Sequence, residues 1–220
     1  MRTVSLFAAV LLVCAGAFVQ SHAAQSNSPS GQVNPGQSLA HDRHDGLSIS
    51  VDPYSDPERA KKKFGKADPI PAGILPVEVF LRNELDQPIR IDLSTVQMEV
   101  RPPGSQRQDI DALSAEEVAK EIVHPEGSGT PHTRRFPPIG IPSAGNDKKV
   151  ESLADILRPI SLDADVVPPM GAIHGFLYFD LSHEMSLAEN ASLYVPDVMI
   201  VPSNKPLIFF EVSLGKAAER

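Results

Sequence analysis

The chain has 220 residues, of which 41% are apolar, enough for a real core in one large domain. Its formal charge of −8 and pI near 5.3 argue against nucleic-acid binding, which needs a basic footprint. It has no Trp and only 5% aromatics, which weakens readings built on aromatic stacking, many carbohydrate binders among them.

The N-terminus reads as a signal peptide over residues 1–23. Arg2 supplies the positive start and residues 6–19 are an apolar run. Ala23 and Ala24 are small residues placed for cleavage. The run is short for a bilayer span, so no membrane span is expected after cleavage. Cys14 is the only cysteine and leaves with the peptide. The mature chain would then have no disulfide, no thiol nucleophile and no Cys metal cage. Removing Arg2 leaves 19 basic against 28 acidic residues, a charge of −9.

Residues 24–46, rich in Ser, Gly, Gln and Pro, read as a flexible leader. Alternation in "LSISVD" predicts a first strand with Leu47, Ile49 and Val51 on one face. Residues 53–72 read as a long polar loop with four prolines and a basic cluster of Lys61, Lys62, Lys63 and Lys66.

The pattern in 73–100 is the most regular in the chain. Leu75, Val77, Val79 and Leu81 share one face, with Glu78, Phe80 and Arg82 on the other. Asn83, Asp86 and Pro88 supply a turn. Ile89, Ile91 and Leu93 then alternate, after which the parity flips to Val96, Met98 and Val100. A period-two strand cannot flip without an extra residue, so a β-bulge or tight strand switch is expected near Ser94–Thr95.

Residues 101–170 read as an inserted segment. A capping box from Ser114 to Glu117 opens a helix, with Ile110, Leu113, Val118 and Ile122 as an apolar stripe. Five prolines and four glycines in 124–147 predict an extended loop. "DKKVESLADILRP" predicts a second helix burying Val150, Leu153, Ile156 and Leu157. "LDADVVPPMG" reads as loop.

In "AIHGFLYFDL", Ile173, Leu177, Phe179 and Leu181 face one way, and His174, Phe176 and Tyr178 the other. Both faces are apolar enough to predict a central strand with the inserted helices covering its outer side. If left uncovered, Phe176 and Tyr178 are the candidate partner surface; a helix lying over them removes it. "SLYV", "DVMIV" and "LIFFEVSL" complete seven or eight strands. The last places Ile208, Phe210, Val212 and Leu214 on one face, expected to pair deep in a sheet.

Short alternating strands between turn signals predict a mainly β fold, an antiparallel sandwich over 47–215 with a helical, Pro-rich insertion and a short tail at 216–220. "LPVEVFLRNELDQPIRID", "GFLYFDL" and "LIFFEVSL" resemble paired strands of exported bacterial immunoglobulin-like proteins. The resemblance covers 47–100 and 171–215. It implies an immunoglobulin-like β-sandwich, and it carries no functional residue because these motifs are packing patterns.

The chemistry-bearing motifs are few. "MGAIHGFLYFDLSHEM" brings Met170, His174, His183 and Met185 close in sequence, soft ligands suited to copper, so His174, His183 and Met185 are the candidate metal residues. "HDRHD" offers His41 and His44. Asp109 with Asp111 and Asp163 with Asp165 are D-x-D pairs of the kind calcium sites use. "ERAKKKFGK" is suited to an anionic glycan, lipid or acidic partner. There is no G-x-S-x-G, P-loop, G-x-G-x-x-G or H-E-x-x-H, so no catalytic residue and no cofactor is assigned. The leading expectation is an exported, noncatalytic protein, periplasmic or extracellular, that binds another envelope or extracellular protein or has a structural role there. Periplasmic handling of copper or calcium is the first alternative, and a hydrolase with an unrecognised site the second.

Overall fold

A computed structural model describes residues 39–102, 104, 106–125 and 144–215. The signal peptide, most of the leader, the Pro-rich stretch 126–143 and the tail 216–220 lie outside the described residues.

The first described strand, β1 (Ala40–His44), falls in the expected leader and corrects it. Asp45 and Gly46, both at positive φ, form the two-residue turn that returns the chain into β2 (Leu47–Pro53), with His44 opposite Leu47 and Ala40 opposite Val51. The expected polar loop then holds a helix, α1 (Pro57–Phe64). Asp56 caps it by accepting from the Glu58 N–H, Pro57 opens it, and Lys61, Lys62 and Lys63 sit favourably in its last turn. Ala60 and Phe64 are its buried face.

β3 (Ile74–Asn83) pairs antiparallel with β2 over seven residues. After the turn, β4 (Ile89–Ile91) and β5 (Gln97–Val100) are separated by a single 3₁₀ turn, Leu93–Thr95. Asp92 fixes that turn by accepting from the Ser94 N–H at 3.0 Å and the Ser94 hydroxyl at 2.6 Å. The parity change is therefore a strand switch, because β4 and β5 belong to different sheets. Next come β6 (Gln108–Asp111) and α2 (Ala115–Val123), whose Ser114–Glu117 capping box is formed in both directions. They are followed by α3 (Ala144–Leu157), β7 (Val166–Val167) and β8 (Ala172–Asp180). β9 (Ala191–Val195), β10 (Val198–Ile200), β11 (Lys205–Pro206) and β12 (Phe210–Ser213) close the described chain.

Twelve described strands, several only two or three residues long, replace the expected seven or eight. They form three antiparallel sheets of four, ordered β1-β2-β3-β8, β11-β10-β4-β7 and β12-β9-β5-β6. The 101–170 segment is integral, since it gives β7 to the second sheet and β6 to the third. The last strand is an edge strand paired with β9 alone, and Ile208 is exposed, which corrects its expected deep position.

The inward face of the first sheet (Leu47, Ile49, Val79, Leu177, Phe179) shares one core with Ile91 of the second sheet and with Met98, Leu193 and Phe210 of the third. A second core lies on the opposite face of the first sheet. There Ile74, Phe176 and Tyr178 pack against Phe64, Val118, Leu153, Ala154 and Leu157 of the three helices. On α3 the buried spacing 153, 154, 157 leaves Ile156 outside the stripe and exposed. β8 ends the first sheet, but bridges from Leu113 to Tyr178 and from Ser161 to Phe176 occupy its outer edge. Gly175 permits the second approach, since a Cβ there would stand 2.6 Å from Leu162 Cα.

Candidate functional site

Strand register sets out the helix-side face of the first sheet in rows. His41, Ser50, Phe80 and His174 form one row across all four strands, and Arg43, Ser48, Arg82 and Ala172 form the next. Asp52, Glu78 and Phe176 form a third row, on which the helices begin. Phe176 and Tyr178 are 2% and 1% exposed. They are not a partner surface: the Phe64 ring of α1 lies edge-on to Phe176 at 4.9 Å, and α2 and α3 complete the cover.

The other half of this face is open. The Arg43 and Arg82 side chains are 62% and 74% exposed. Half-buried Phe80 stacks on the His174 ring at 5.6 Å and 18°. Glu84 sits between the arginines, 2.5 Å from Arg43 and 4.0 Å from Arg82.

A polar network forms the wall where α1 meets this open half. Glu78 is almost fully buried, and the Tyr54 hydroxyl donates to its Oε2 at 2.9 Å. Its Oε1 lies 3.8 Å from Lys63 Nζ and 3.7 Å from His174 Nδ1. Beside it the Arg59 guanidinium makes a two-point pair with Asp52 and lies 3.7 Å over the Tyr54 ring. Burial, then the neighbouring Glu78 carboxylate, pushes the Tyr54 pKa up to about 12. The buried carboxylate is thus met by internal donors, and the network ties α1 to β2 and β3.

The candidate metal residues do not converge. His174 pairs opposite Phe80, whereas the His183 backbone lies against Gly73, at the other end of β3, so the two are about 20 Å apart. Met185 packs on the main core and lines an open cleft of about 420 Å³ with Pro53, Ser55 and Glu189. Met170 is exposed. His44 stacks flat on Phe210 at 3.8 Å and faces Asp42 and Asp45, joining the edges of the first and third sheets. Asp109 is held by Arg107 at 2.7 Å and Asp111 by Gln97 at 2.9 Å. Among the described residues no three His, Cys, Asp or Glu side chains are grouped to hold a metal. A second ionic cluster, on the third sheet, has buried Glu99 between Arg107 (2.6 Å) and Arg101 (3.1 Å).

Alternation in β3 placed Glu78, Phe80 and Arg82 on the outer face. His41 and Arg43 were hidden in the leader, and the Asp45-Gly46 dipeptide was the signal for their hairpin. Tyr54, Arg59 and Lys63 were hidden in the polar loop, and the Asp-Pro-Glu start of α1 was theirs.

The fold and this face define a mainly β protein of three antiparallel sheets with a helical layer on part of one. No family model, curated protein or solved structure matches the chain. No helix among the described residues is long and apolar enough to cross a membrane.

Proposed function

We propose that the chain is an exported, noncatalytic β-sandwich protein of immunoglobulin-like kind, with an interaction role in the envelope or outside the cell. Its contact surface is the open half of the first sheet. One observation carries this: the Phe80–His174 stack lies uncovered, between Arg43 and Arg82 on one side and Lys63 on the other, on a sheet buried elsewhere on both faces. The export reading rests on Arg2, the apolar run 6–19 and the alanines that follow. The sandwich reading is supported by the core that the first sheet shares with the other two.

Co-sedimentation of the purified chain with native envelope fragments tests the contact surface. Wild type is expected in the pellet, and the Phe80→Ala/Arg82→Ala double variant in the supernatant with an unchanged circular-dichroism spectrum. Equal partition of the two proteins overturns the reading.

A further inference from the structure

We infer that the open half of the first sheet binds an acidic polysaccharide, a chain of sugar rings bearing carboxylates at regular intervals. This rests on that face being the contact surface and names what it contacts.

The argument begins with charge. The chain as a whole is acidic at −8, yet Arg43, Arg82 and Lys63 gather on this face. Glu84 is shared between the two arginines and holds both guanidiniums near the surface, while Glu78 is buried beneath Lys63. Arginine presents a planar fork that takes a carboxylate through two parallel hydrogen bonds. A polyanion therefore meets complementary charge here on an otherwise acidic molecule.

Spacing and shape choose among polyanions. The backbones of Arg43 and Arg82, on β1 and β3, are two strand steps or about 9.5 Å apart. Both side chains reach Glu84 from these positions, so two neighbouring cations meet the acids on nearby rings of a polyuronate, in which every ring bears a carboxylate. Ser48 lies between the two arginines in the same row, its hydroxyl without a hydrogen-bond partner among the described residues and free to meet a ring hydroxyl. In the neighbouring row the half-buried Phe80 ring, with His174 stacked on one side, offers apolar surface for the C–H groups of a sugar. Phe80 is the one large apolar side chain in these two rows, too little apolar surface to insert into a bilayer. The scarcity of aromatics argues against a neutral-sugar platform; recognition here is ionic first, with one ring to orient the chain.

The test is calorimetric titration of the full chain with polygalacturonate oligomers, alongside their methyl esters, polyglutamate and phosphatidylglycerol vesicles. Expected is saturable binding of polygalacturonate that weakens with salt and at least ten-fold weaker binding of the esters, polyglutamate and vesicles. Arg43→Ala and Arg82→Ala should each weaken it at least ten-fold. Phe80→Ala should weaken polygalacturonate binding at least ten-fold, and Phe80→Leu, which keeps the packing volume, should weaken it as much. Polyglutamate bound as tightly as polygalacturonate overturns the inference in favour of an acidic protein partner, and equal vesicle binding does so in favour of a membrane. If polygalacturonate fails to bind while envelope retention still depends on Phe80 and Arg82, the glycan is wrong and the contact surface stands. If polygalacturonate binds but none of these substitutions weakens it, the glycan sits elsewhere and the inference falls, while envelope retention still decides the contact surface.

Discussion

The Tyr54 hydroxyl donates to Glu78 Oε2 at 2.9 Å, joining the chain just after β2 to the middle of β3 beneath α1. A hydrogen bond to a buried charged group contributes about 1.5–3 kcal/mol. Tyr54→Phe keeps the ring that packs on Phe64 and Phe176 and removes only this donor. It should lower the unfolding free energy by that amount, seen as a lower urea midpoint with an unchanged m value. In a cycle with Glu78→Gln the double variant should lose less than the sum of the two singles. Additive losses would mean the two groups are not coupled.

The same substitution two strands away has the opposite expectation. The Tyr178 hydroxyl is buried and has no good hydrogen-bond partner, with Ser161 Oγ donating instead to the Leu157 carbonyl. Removing an unsatisfied buried polar group is neutral or stabilising, by up to about 1 kcal/mol. Tyr178→Phe should leave the melting temperature unchanged or raise it by a few degrees.

Both tyrosines make the fold sensitive to alkali. Burial raises Tyr178 to about 12, offset only in part by Ser161, and burial with Glu78 raises Tyr54 to about 12, against a usual 10.0. The fold favours the protonated phenols, so on deprotonation the unfolded chain gains first. This contribution to stability is complete below about pH 10 and is lost as pH rises towards about 12. Denaturant midpoints measured from pH 8 to 12.5 should fall in that window, and less steeply in the Tyr54→Phe/Tyr178→Phe variant.

Two glycines separate close approach from backbone conformation. At Gly175 an added Cβ would stand 2.6 Å from both Leu162 Cα and Leu162 N, backbone atoms that cannot yield without moving the strand edge. Gly175→Ala should cost about 2–3 kcal/mol by overpacking. Gly65 caps α1 at φ +59° and ψ −111°, a conformation essentially reserved for glycine, with no neighbour within 4 Å, so Gly65→Ala should cost backbone strain alone, about 1–3 kcal/mol. Chemical denaturation of the two variants measures each loss, and an unchanged midpoint in either overturns its account.

Local rules read well wherever one residue's chemistry settles the backbone. The Ser114–Glu117 box spans four residues and formed as expected. The parity change after Leu93 marked a real switch because a pleated strand has a fixed period. The apolar outer face of β8 required a cover, and the helices supply it. α1 was misread because its sequence is polar on most sides, with Ala60 and Phe64 as its whole buried face. β1 was misread because its inward residues are Ala40, Asp42 and His44, which give no apolar alternation.

The candidate site shows the same division. Glu78, Phe80 and Arg82 were assigned to one face from alternation alone, and this holds. That Glu78 is buried and Phe80 is open follows from where α1 ends, a matter of packing. His174, His183 and Met185 are close in sequence and separated in space, since an extended strand spends about 3.3 Å on each residue and carries its ends apart.

By itself, then, the sequence determined which strands carry a core face, where the capped helix of the inserted segment begins and where one strand must leave its sheet, because those depend on periodicities of a few residues. Only the tertiary structure decided that Phe176 and Tyr178 are interior, that a polar segment becomes the helix bracing Glu78, and that His41 and Arg43 share a surface with Phe80 and Arg82. Those facts depend on which elements meet across tens of residues of chain, and burial and charge pairing are set by that meeting, after the local pattern has been spent.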